Sequence, residues 1–135
     1  MNILFICNGN VARSQEAEAF FNSLKKSEND IASSAGIEVD REKPVHPDVV
    51  QVMGELNLDV SKAHRKFVNK AMIAASDQII SFKPKDELPD YVARRRDIIY
   101  WTTVDPRCQS IDFHRNVRDE IRSKVRTYID ALHSV

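Results

Sequence analysis

The chain has few cysteines, few glycines and no long apolar run, and these features exclude several classes of protein. Its 135 residues include two cysteines and three glycines. Two cysteines, Cys7 and Cys108, make neither a CxxC pair nor a disulfide framework, which suits a reducing compartment and a free thiol. No apolar run approaches the roughly 18 residues of a membrane span, and the first predicted strand begins at residue 2, which leaves no room for a signal peptide. The sequence therefore predicts a cytoplasmic protein without membrane contact.

The chain also has no excess of either charge. Twenty lysines and arginines balance twenty aspartates and glutamates. This balance argues against a nucleic acid partner, because the overall charge provides no attraction for a polyanion. The length and the 42% hydrophobic content are those of one domain with its own core. We therefore predict a single domain over residues 1–135, whose basic sites are local.

The densest pattern of chemically useful residues lies near the N-terminus, between a predicted strand and a predicted helix. The unbroken apolar run 3–6 is typical of a strand buried on both faces of a parallel sheet, and helical spacing of apolar residues follows from Ala17 to Leu24. A loop at such a junction directs backbone N–H groups outward at the carboxyl edge of the sheet, where the helix dipole favours an anion. We therefore predict a cradle for phosphate or a similar oxyanion, formed by Asn8, Gly9, Asn10, Val11, Ala12 and Arg13.

The side chains of this loop suit both anion binding and covalent chemistry. Gly9 lets the backbone approach a ligand closely, and Asn10 tolerates the left-handed conformation that a curled loop needs. The planar fork of Arg13 can hold two oxyanion oxygens at once. Cys7, facing this positive field, is expected to ionise near neutral pH and to act as a nucleophile on a bound phosphate. The alternative is a buried cysteine at a strand end, beside a surface arginine at a helix start.

Apolar patterns further along the chain predict alternating strands and helices. Further strands are expected at about 31–37, 78–82 and 98–101, and helices at about 14–26, after the entry signals Pro44 and Pro47, at 71–75 and from Phe113 to the C-terminus. A charged loop is expected at 40–43, and a loop with a short helix at 83–96, where Arg94 to Arg96 are expected to form a solvated face rather than a substrate clamp. Such alternation indicates an α/β fold, a single domain with right-handed crossovers and helices on both faces of its sheet.

The pattern Cys-x5-Arg-Ser, from Cys7 to Ser14, resembles the phosphate-binding loop of the low-molecular-weight protein tyrosine phosphatases and of the arsenate reductases that share their fold. Residues 33–36, Ser-Ser-Ala-Gly, also resemble the end of the second strand in that family. The resemblance implies a four-stranded parallel sheet in the order 2-1-3-4. It also implies a cysteinyl-phosphate intermediate on Cys7 and no requirement for a metal or other cofactor, because Arg13 and the loop amides stabilise the transferred group.

Three further residues acquire candidate roles from the same resemblance. Asp105, in the Asp-Pro pair after the last predicted strand, corresponds to the general acid that protonates the leaving group, although Asp-Pro is also an ordinary turn. Ser14 corresponds to a residue that donates a hydrogen bond to the nucleophilic sulfur, and helix capping is its alternative role. His64 lies in a segment resembling the one whose histidine braces the loop asparagine, and a solvated loop histidine is the alternative.

Two activities are compatible with these residues. A phosphatase would act on a phosphorylated protein or a small phosphate ester. An arsenate reductase would bind arsenate in the same cradle and would need a second thiol to resolve the Cys7 adduct, either Cys108 or an external thiol of thioredoxin, glutaredoxin or glutathione. Arg107 and Cys108 replace the tyrosines that follow the Asp-Pro pair in tyrosine phosphatases, and residues 83–96 lack the two further cysteines of thioredoxin-coupled reductases. The sequence favours a phosphatase, with a reductase as the alternative and a non-catalytic anion-binding module as a third hypothesis.

Overall fold

Four parallel strands form one sheet at the centre of the molecule. A computed structural model of the chain describes residues 1–40 and 43–133; residues 41–42 of the expected charged loop, and the last two residues of the predicted domain, lie outside this description. The strands are β1 (Asn2–Cys7), β2 (Ile31–Gly36), β3 (Gln78–Ser81) and β4 (Ile99–Tyr100). They pair in the order β2-β1-β3-β4, and every pair is parallel. The predicted fold class and strand order are therefore confirmed.

Five α-helices are assigned in the described residues, and their ends follow local capping signals. They are α1 (Arg13–Leu24), α2 (Pro47–Gly54), α3 (Lys70–Ala75), α4 (Asp90–Ala93) and α5 (Ile111–Leu132), with a 3-10 turn at Lys85–Glu87. The last helix begins two residues earlier than expected because Ser110 caps it, accepting a hydrogen bond from the backbone N–H of Phe113 at 3.1 Å. No helix in the described part of the chain has both the length and the apolarity that a membrane crossing requires.

The alternation of side chains along β1 divides the core into two layers. Ile3, Phe5 and Cys7 lie on the face that packs against α1, α2 and α5. Leu4 and Ile6 lie on the opposite face, which packs against residues of α3 and α4. Successive side chains of a strand point to opposite faces of the sheet, so the alternation along β1 determines the face on which the Cys7 side chain lies. Cys7 consequently ends β1 on the side of the sheet where α1 begins.

Candidate active site

The loop between β1 and α1 has the conformation that its sequence predicts. Asn10 adopts a left-handed backbone conformation with φ of 52°, as expected for one of the few residue types that tolerate it. The helix N-cap is Ala12, whose side chain makes no capping hydrogen bond. Ser14 therefore lies inside the first turn of α1 and is not its N-cap, so the capping role considered for it is not observed.

The side chain of Asn10 holds this loop together, although it contacts no reacting group directly. Its Nδ2 donates to Ser14 Oγ at 2.8 Å and to Ser34 Oγ at 2.9 Å. Its Oδ1 accepts from Gln15 Nε2 at 3.0 Å and from the backbone N–H of Lys66 at 2.8 Å. Both atoms of the buried amide thus make two bonds each, which uses the full hydrogen-bonding capacity of the group.

The predicted role of the His64 ring is not observed. His64 is exposed, and it reaches the network only through its backbone carbonyl, which accepts from Gln15 Nε2 at 2.9 Å. The bonds to Asn10 Oδ1 come instead from the side chain of Gln15 and the backbone N–H of Lys66. The segment that carries His64 therefore contacts the loop through its backbone and not through the imidazole. Of the two alternatives for His64, the structure matches the solvated loop histidine.

Cys7 and Ser14 are in direct contact beneath the loop. Cys7 Sγ and Ser14 Oγ lie 2.8 Å apart, and both residues are buried. Because Ser14 Oγ already accepts a hydrogen bond from Asn10, its own proton is available to the sulfur. A hydroxyl at this distance can donate to the sulfur and hold it in place beneath the loop. The arrangement therefore suits a nucleophilic cysteine.

Arg13 connects the loop to two distant segments of the chain. Its Nη1 donates to the carbonyl oxygen of Thr103 at 3.0 Å, and its Nη2 lies 3.6 Å from Asp105 Oδ2. The guanidinium carbon is 5.8 Å from the centre of the Phe82 ring, near the end of β3. Asp105, whose Oδ1 accepts from the backbone N–H of Arg107 at 3.0 Å, is thereby held beside the loop. The two residues that the sequence assigned to anion binding and to acid catalysis thus meet.

A pocket of about 380 Å³ opens above the loop. Its floor includes Asn8, Gly9, Val11 and Ala12 of the predicted cradle. Its walls carry polar and charged side chains from five other segments, namely Glu38, Asp40, Lys43, His46, Arg65, Asp105, Arg107 and His114. Cys108 is exposed, has a left-handed backbone with φ of 62°, and is not among the residues that line the pocket.

Gly36, at the end of β2, contacts the loop closely, and the sequence indicates this residue only indirectly. A Cβ atom at this position would lie 2.7 Å from the backbone nitrogen of Asn10 and 2.7 Å from the carbonyl oxygen of Asn8. The loop can therefore pack against β2 only because this residue has no side chain. The resemblance of residues 33–36 to the family pointed to the residue without giving the reason.

Two buried ionisable groups near the site were also missed by sequence reasoning. Burial raises the pKa of Glu16 to about 8, against the attraction of Arg118 and Arg13. Burial also lowers the pKa of His114 below its ordinary value, although the nearby Asp48 carboxylate acts in the opposite direction. No periodic pattern marks either residue, because a charged side chain on a helix is expected on the solvated face.

Comparison with known proteins assigns the family. The family model described as low molecular weight phosphotyrosine protein phosphatase matches residues 2–134. The chain belongs to this family, a class of cysteine-dependent enzymes that includes phosphatases and arsenate reductases.

The similar proteins include both arsenate reductases and phosphatases. Arsenate reductase 2 of Staphylococcus saprophyticus is 30% identical over 129 residues, covering 95% of both chains. A mutant of the arginine phosphatase YwlE with a phosphorylated active site serine has the same fold, with a TM-score of 0.89 at 23% identity over 98% of this chain and 95% of that one. An arsenate reductase in the phosphate binding state gives a TM-score of 0.79 at 28% identity, over 96% of this chain and 97% of that one.

Proposed function

We propose that the chain is a phosphatase that hydrolyses phosphate monoesters through a cysteinyl-phosphate intermediate on Cys7. The observation that carries the proposal is the contact of Cys7 Sγ with Ser14 Oγ at 2.8 Å, beneath the loop. At the same loop, Arg13 Nη2 lies 3.6 Å from Asp105 Oδ2. Nucleophile, anion-binding arginine and carboxyl group are the three parts that the reaction requires.

In the first step, the sulfur of Cys7 attacks phosphorus, and the bond from phosphorus to the ester oxygen breaks. Asp105 gives its proton to the departing oxygen, so that an alcohol or phenol leaves. In the second step, water attacks the phosphocysteine, Asp105 takes the proton of that water, and the sulfur–phosphorus bond breaks to release phosphate. Ser14 donates to the sulfur when it is the leaving group, and Arg13 with the loop amides of residues 8–12 holds the phosphoryl oxygens in both steps.

The walls of the pocket favour a phosphorylated protein or a polar phosphate ester as substrate. Arg107 and Cys108 follow the Asp-Pro pair, and no phenylalanine, tyrosine or tryptophan is among the residues that line the pocket. Both acidic and basic side chains line it, including Glu38, Lys43 and Arg65. Such a rim provides hydrogen bonds and ion pairs rather than an apolar slot for a phenyl ring.

Arsenate reduction is the second candidate, and the curated relatives named arsenate reductases favour it. On this hypothesis arsenate binds in the same loop and Cys7 attacks the arsenic, so that a sulfur–arsenic bond forms while one arsenic–oxygen bond breaks and its hydroxyl leaves as water with a proton from Asp105. A second thiol then attacks the Cys7 sulfur, arsenite leaves with the electron pair, and a disulfide forms. Cys108, exposed on the loop that carries Asp105, is one candidate for this thiol; thioredoxin, glutaredoxin or glutathione is the other.

Trapping the intermediate tests the proposed phosphatase. Rapid acid quench of wild-type protein during turnover of an aryl phosphate should leave a phosphate group on Cys7, detected by mass spectrometry. Cys7→Ser should abolish turnover but retain binding of inorganic phosphate, because the loop amides and Arg13 are unchanged. Substantial turnover by Cys7→Ser would exclude this cysteine as the nucleophile.

A parallel assay separates the two enzymes. Arsenate-dependent oxidation of NADPH is measured with a coupled thiol system, for wild type and for Cys108→Ser, beside aryl phosphate hydrolysis by both. We expect hydrolysis to be nearly unchanged in Cys108→Ser. Rapid arsenate reduction by wild type together with poor hydrolysis of the aryl phosphate would overturn the phosphatase assignment in favour of the reductase. Loss of that reduction in Cys108→Ser would identify Cys108 as the resolving thiol.

A further inference from the structure

Three potential metal ligands meet at the rim of the pocket, outside the loop that binds the proposed substrate. His46 is the N-cap of α2, Asp48 lies in the first turn of the same helix, and His114 lies in the first turn of α5. His114 Nε2 lies 3.6 Å from Asp48 Oδ2, and His46 Nδ1 lies 3.8 Å from the same oxygen. One ligand atom of each residue lies within 4.8 Å of those of the other two.

His114 is the member of this group that most needs a partner. Only 2% of its surface is exposed, and neither ring nitrogen has a hydrogen-bond partner among the described residues. Its ring stacks on that of His46 with centroids 5.5 Å apart, and its Nε2 is the atom nearest to the Asp48 carboxylate, at 3.6 Å. Buried polar side-chain atoms in folded proteins are normally hydrogen bonded, and a buried atom without a partner calls for an explanation such as a bound ion.

We propose that His46, Asp48 and His114 bind a divalent transition-metal ion of the zinc class. Two imidazoles and one carboxylate are the donor set that such an ion prefers, with the fourth position open to water. Bonds of roughly 2.0–2.1 Å place tetrahedral ligands about 3.3 Å apart. The distances from Asp48 Oδ2 to His114 Nε2 and to His46 Nδ1, 3.6 and 3.8 Å, therefore need to shorten by only a few tenths of an ångström. The ligand atoms of the third pair, the two histidines, lie within 4.8 Å of each other. His46 and Asp48 are both partly exposed, which gives an ion access from solvent.

Binding has one local cost, which involves His46. Its Nδ1 now accepts a hydrogen bond from the backbone N–H of Asp48 at 3.0 Å, and this bond caps α2. A ring nitrogen has one lone pair, so a metal bound at Nδ1 displaces the capping bond. Because a metal–nitrogen bond is much stronger than one capping hydrogen bond, the exchange favours the bound ion.

The location of the site suggests a consequence for catalysis, which rests on the proposed phosphatase activity. His46 and His114 line the same pocket as Asp105 and the loop residues Asn8 and Gly9. An ion held there stands where the substrate enters, so occupancy should slow turnover and a chelator should restore it. Metal binding itself does not depend on the proposed activity and can be measured without it.

Cobalt(II) spectroscopy tests the site directly. Titration of the metal-free protein with Co²⁺ should produce the visible absorption bands of a nitrogen- and oxygen-ligated ion, and Zn²⁺ should abolish them by competition. Asp48→Asn and His46→Asn should each weaken binding at least about tenfold. Asn at residue 46 retains a capping side chain, and residue 48 is partly exposed, so both variants should fold. His114→Gln should have the same effect, and His64→Gln, which removes an exposed imidazole outside the group, should bind Co²⁺ as wild type does.

Three outcomes would overturn the proposal. The first is the absence of visible bands in wild type, and the second is equal affinity of wild type, Asp48→Asn and His46→Asn for Co²⁺. The third is an intense near-ultraviolet sulfur-to-cobalt band, which would show that Cys7 or Cys108 binds the ion instead. Since none of these readouts measures turnover, a failure of the metal site is distinguishable from a failure of the proposed phosphatase.

Discussion

At the scale of single residues, the geometry of Arg13 depends on having two separate donor nitrogens. Nη1 donates to the Thr103 carbonyl while Nη2 faces Asp105, so one side chain ties the loop to the segment after β4. A lysine at residue 13 would keep the charge but could satisfy only one of these directions, and it could not hold two oxygens of a bound phosphate.

We expect Arg13→Lys to lose at least about 10²-fold in kcat/KM for an aryl phosphate. Steady-state kinetics measure this loss, and thermal unfolding of the same variant monitors the structural cost. Arg126→Lys, an identical change at an exposed position of α5, is the matched control and should retain wild-type kinetics. A rate near that of wild type for Arg13→Lys would mean that the guanidinium has no part in the reaction.

Asp105 combines a structural bond with its proposed chemical role, and one substitution separates the two. Asparagine at this position keeps an oxygen that can accept from the Arg107 N–H, so the turn should persist, but it has no acidic proton to give. Asp105→Asn should slow esters with poor leaving groups by about 10²–10⁴-fold and slow good leaving groups far less. The measurement is kcat for a series of aryl phosphates of graded leaving-group pKa. An equal loss across the series would assign the general acid to another residue.

At the scale of elements, the sequence was informative wherever the signal was local. The apolar run of β1 and the left-handed Asn10 each follow from neighbouring residues alone, and α2 begins at one of the two prolines that signal a helix entry. The partners of Asn10 could not be predicted in this way, because Lys66 is far along the chain and contributes a backbone N–H, which has no residue-specific signature. The His64 ring was one of two alternatives considered for the same role, since a side chain is visible in a sequence and a backbone contact is not.

The packing of the loop against β2 gives a prediction at this scale. Gly36→Ala should displace the loop, because the added methyl group would lie 2.7 Å from backbone atoms of Asn8 and Asn10, neither of which can rotate away. We expect a loss of about 1–3 kcal/mol in the free energy of unfolding and weaker binding of inorganic phosphate. Chemical denaturation and phosphate titration measure the two effects.

Gly54→Ala is the matched control for Gly36→Ala. A Cβ at residue 54, the last residue of α2, meets nothing within 4 Å. The same substitution there should be neutral or should stabilise the protein by up to about 1 kcal/mol, since alanine favours the helix. If both variants bind phosphate as wild type does, the close approach at Gly36 does not maintain the loop.

At the scale of the whole molecule, the sheet brings together residues that the sequence separates. Parallel strands have their carboxyl ends on one edge, so the loops after β1 and β4 meet there, and Arg13 and Asp105 come into contact. The order of the strands required the family resemblance, because alternating patterns do not by themselves say which strand lies beside which. Neither the residue patterns nor the family resemblance predicted an ionisable residue in the core, and Glu16 is such a residue.

Glu16 should make the stability of the whole molecule depend on pH. The carboxyl group is fully buried on α1, and neither oxygen has a hydrogen-bond partner among the described residues. Burial raises its pKa from 4.5 to about 8, so the folded state holds a proton that the unfolded state releases between these two values. A group of this kind contributes stability that is fully present below about pH 4.5 and is lost progressively as the pH rises to about 8.

We expect Glu16→Met to remove this loss, because methionine fills a similar volume and carries no ionisable group. The variant should gain stability over wild type as the pH rises from about 5 to about 8.5, by an amount on the order of a few kcal/mol. Urea denaturation at the two pH values gives the free energy of unfolding for both proteins, and the difference of differences cancels all other titrating groups. Glu120→Met, the same change at an exposed position of α5, should alter stability by only about 0.5 kcal/mol at either pH. If Glu16→Met and wild type differ by the same amount at both pH values, Glu16 titrates alike in the folded and unfolded chain, and its carboxylate is not held neutral by burial.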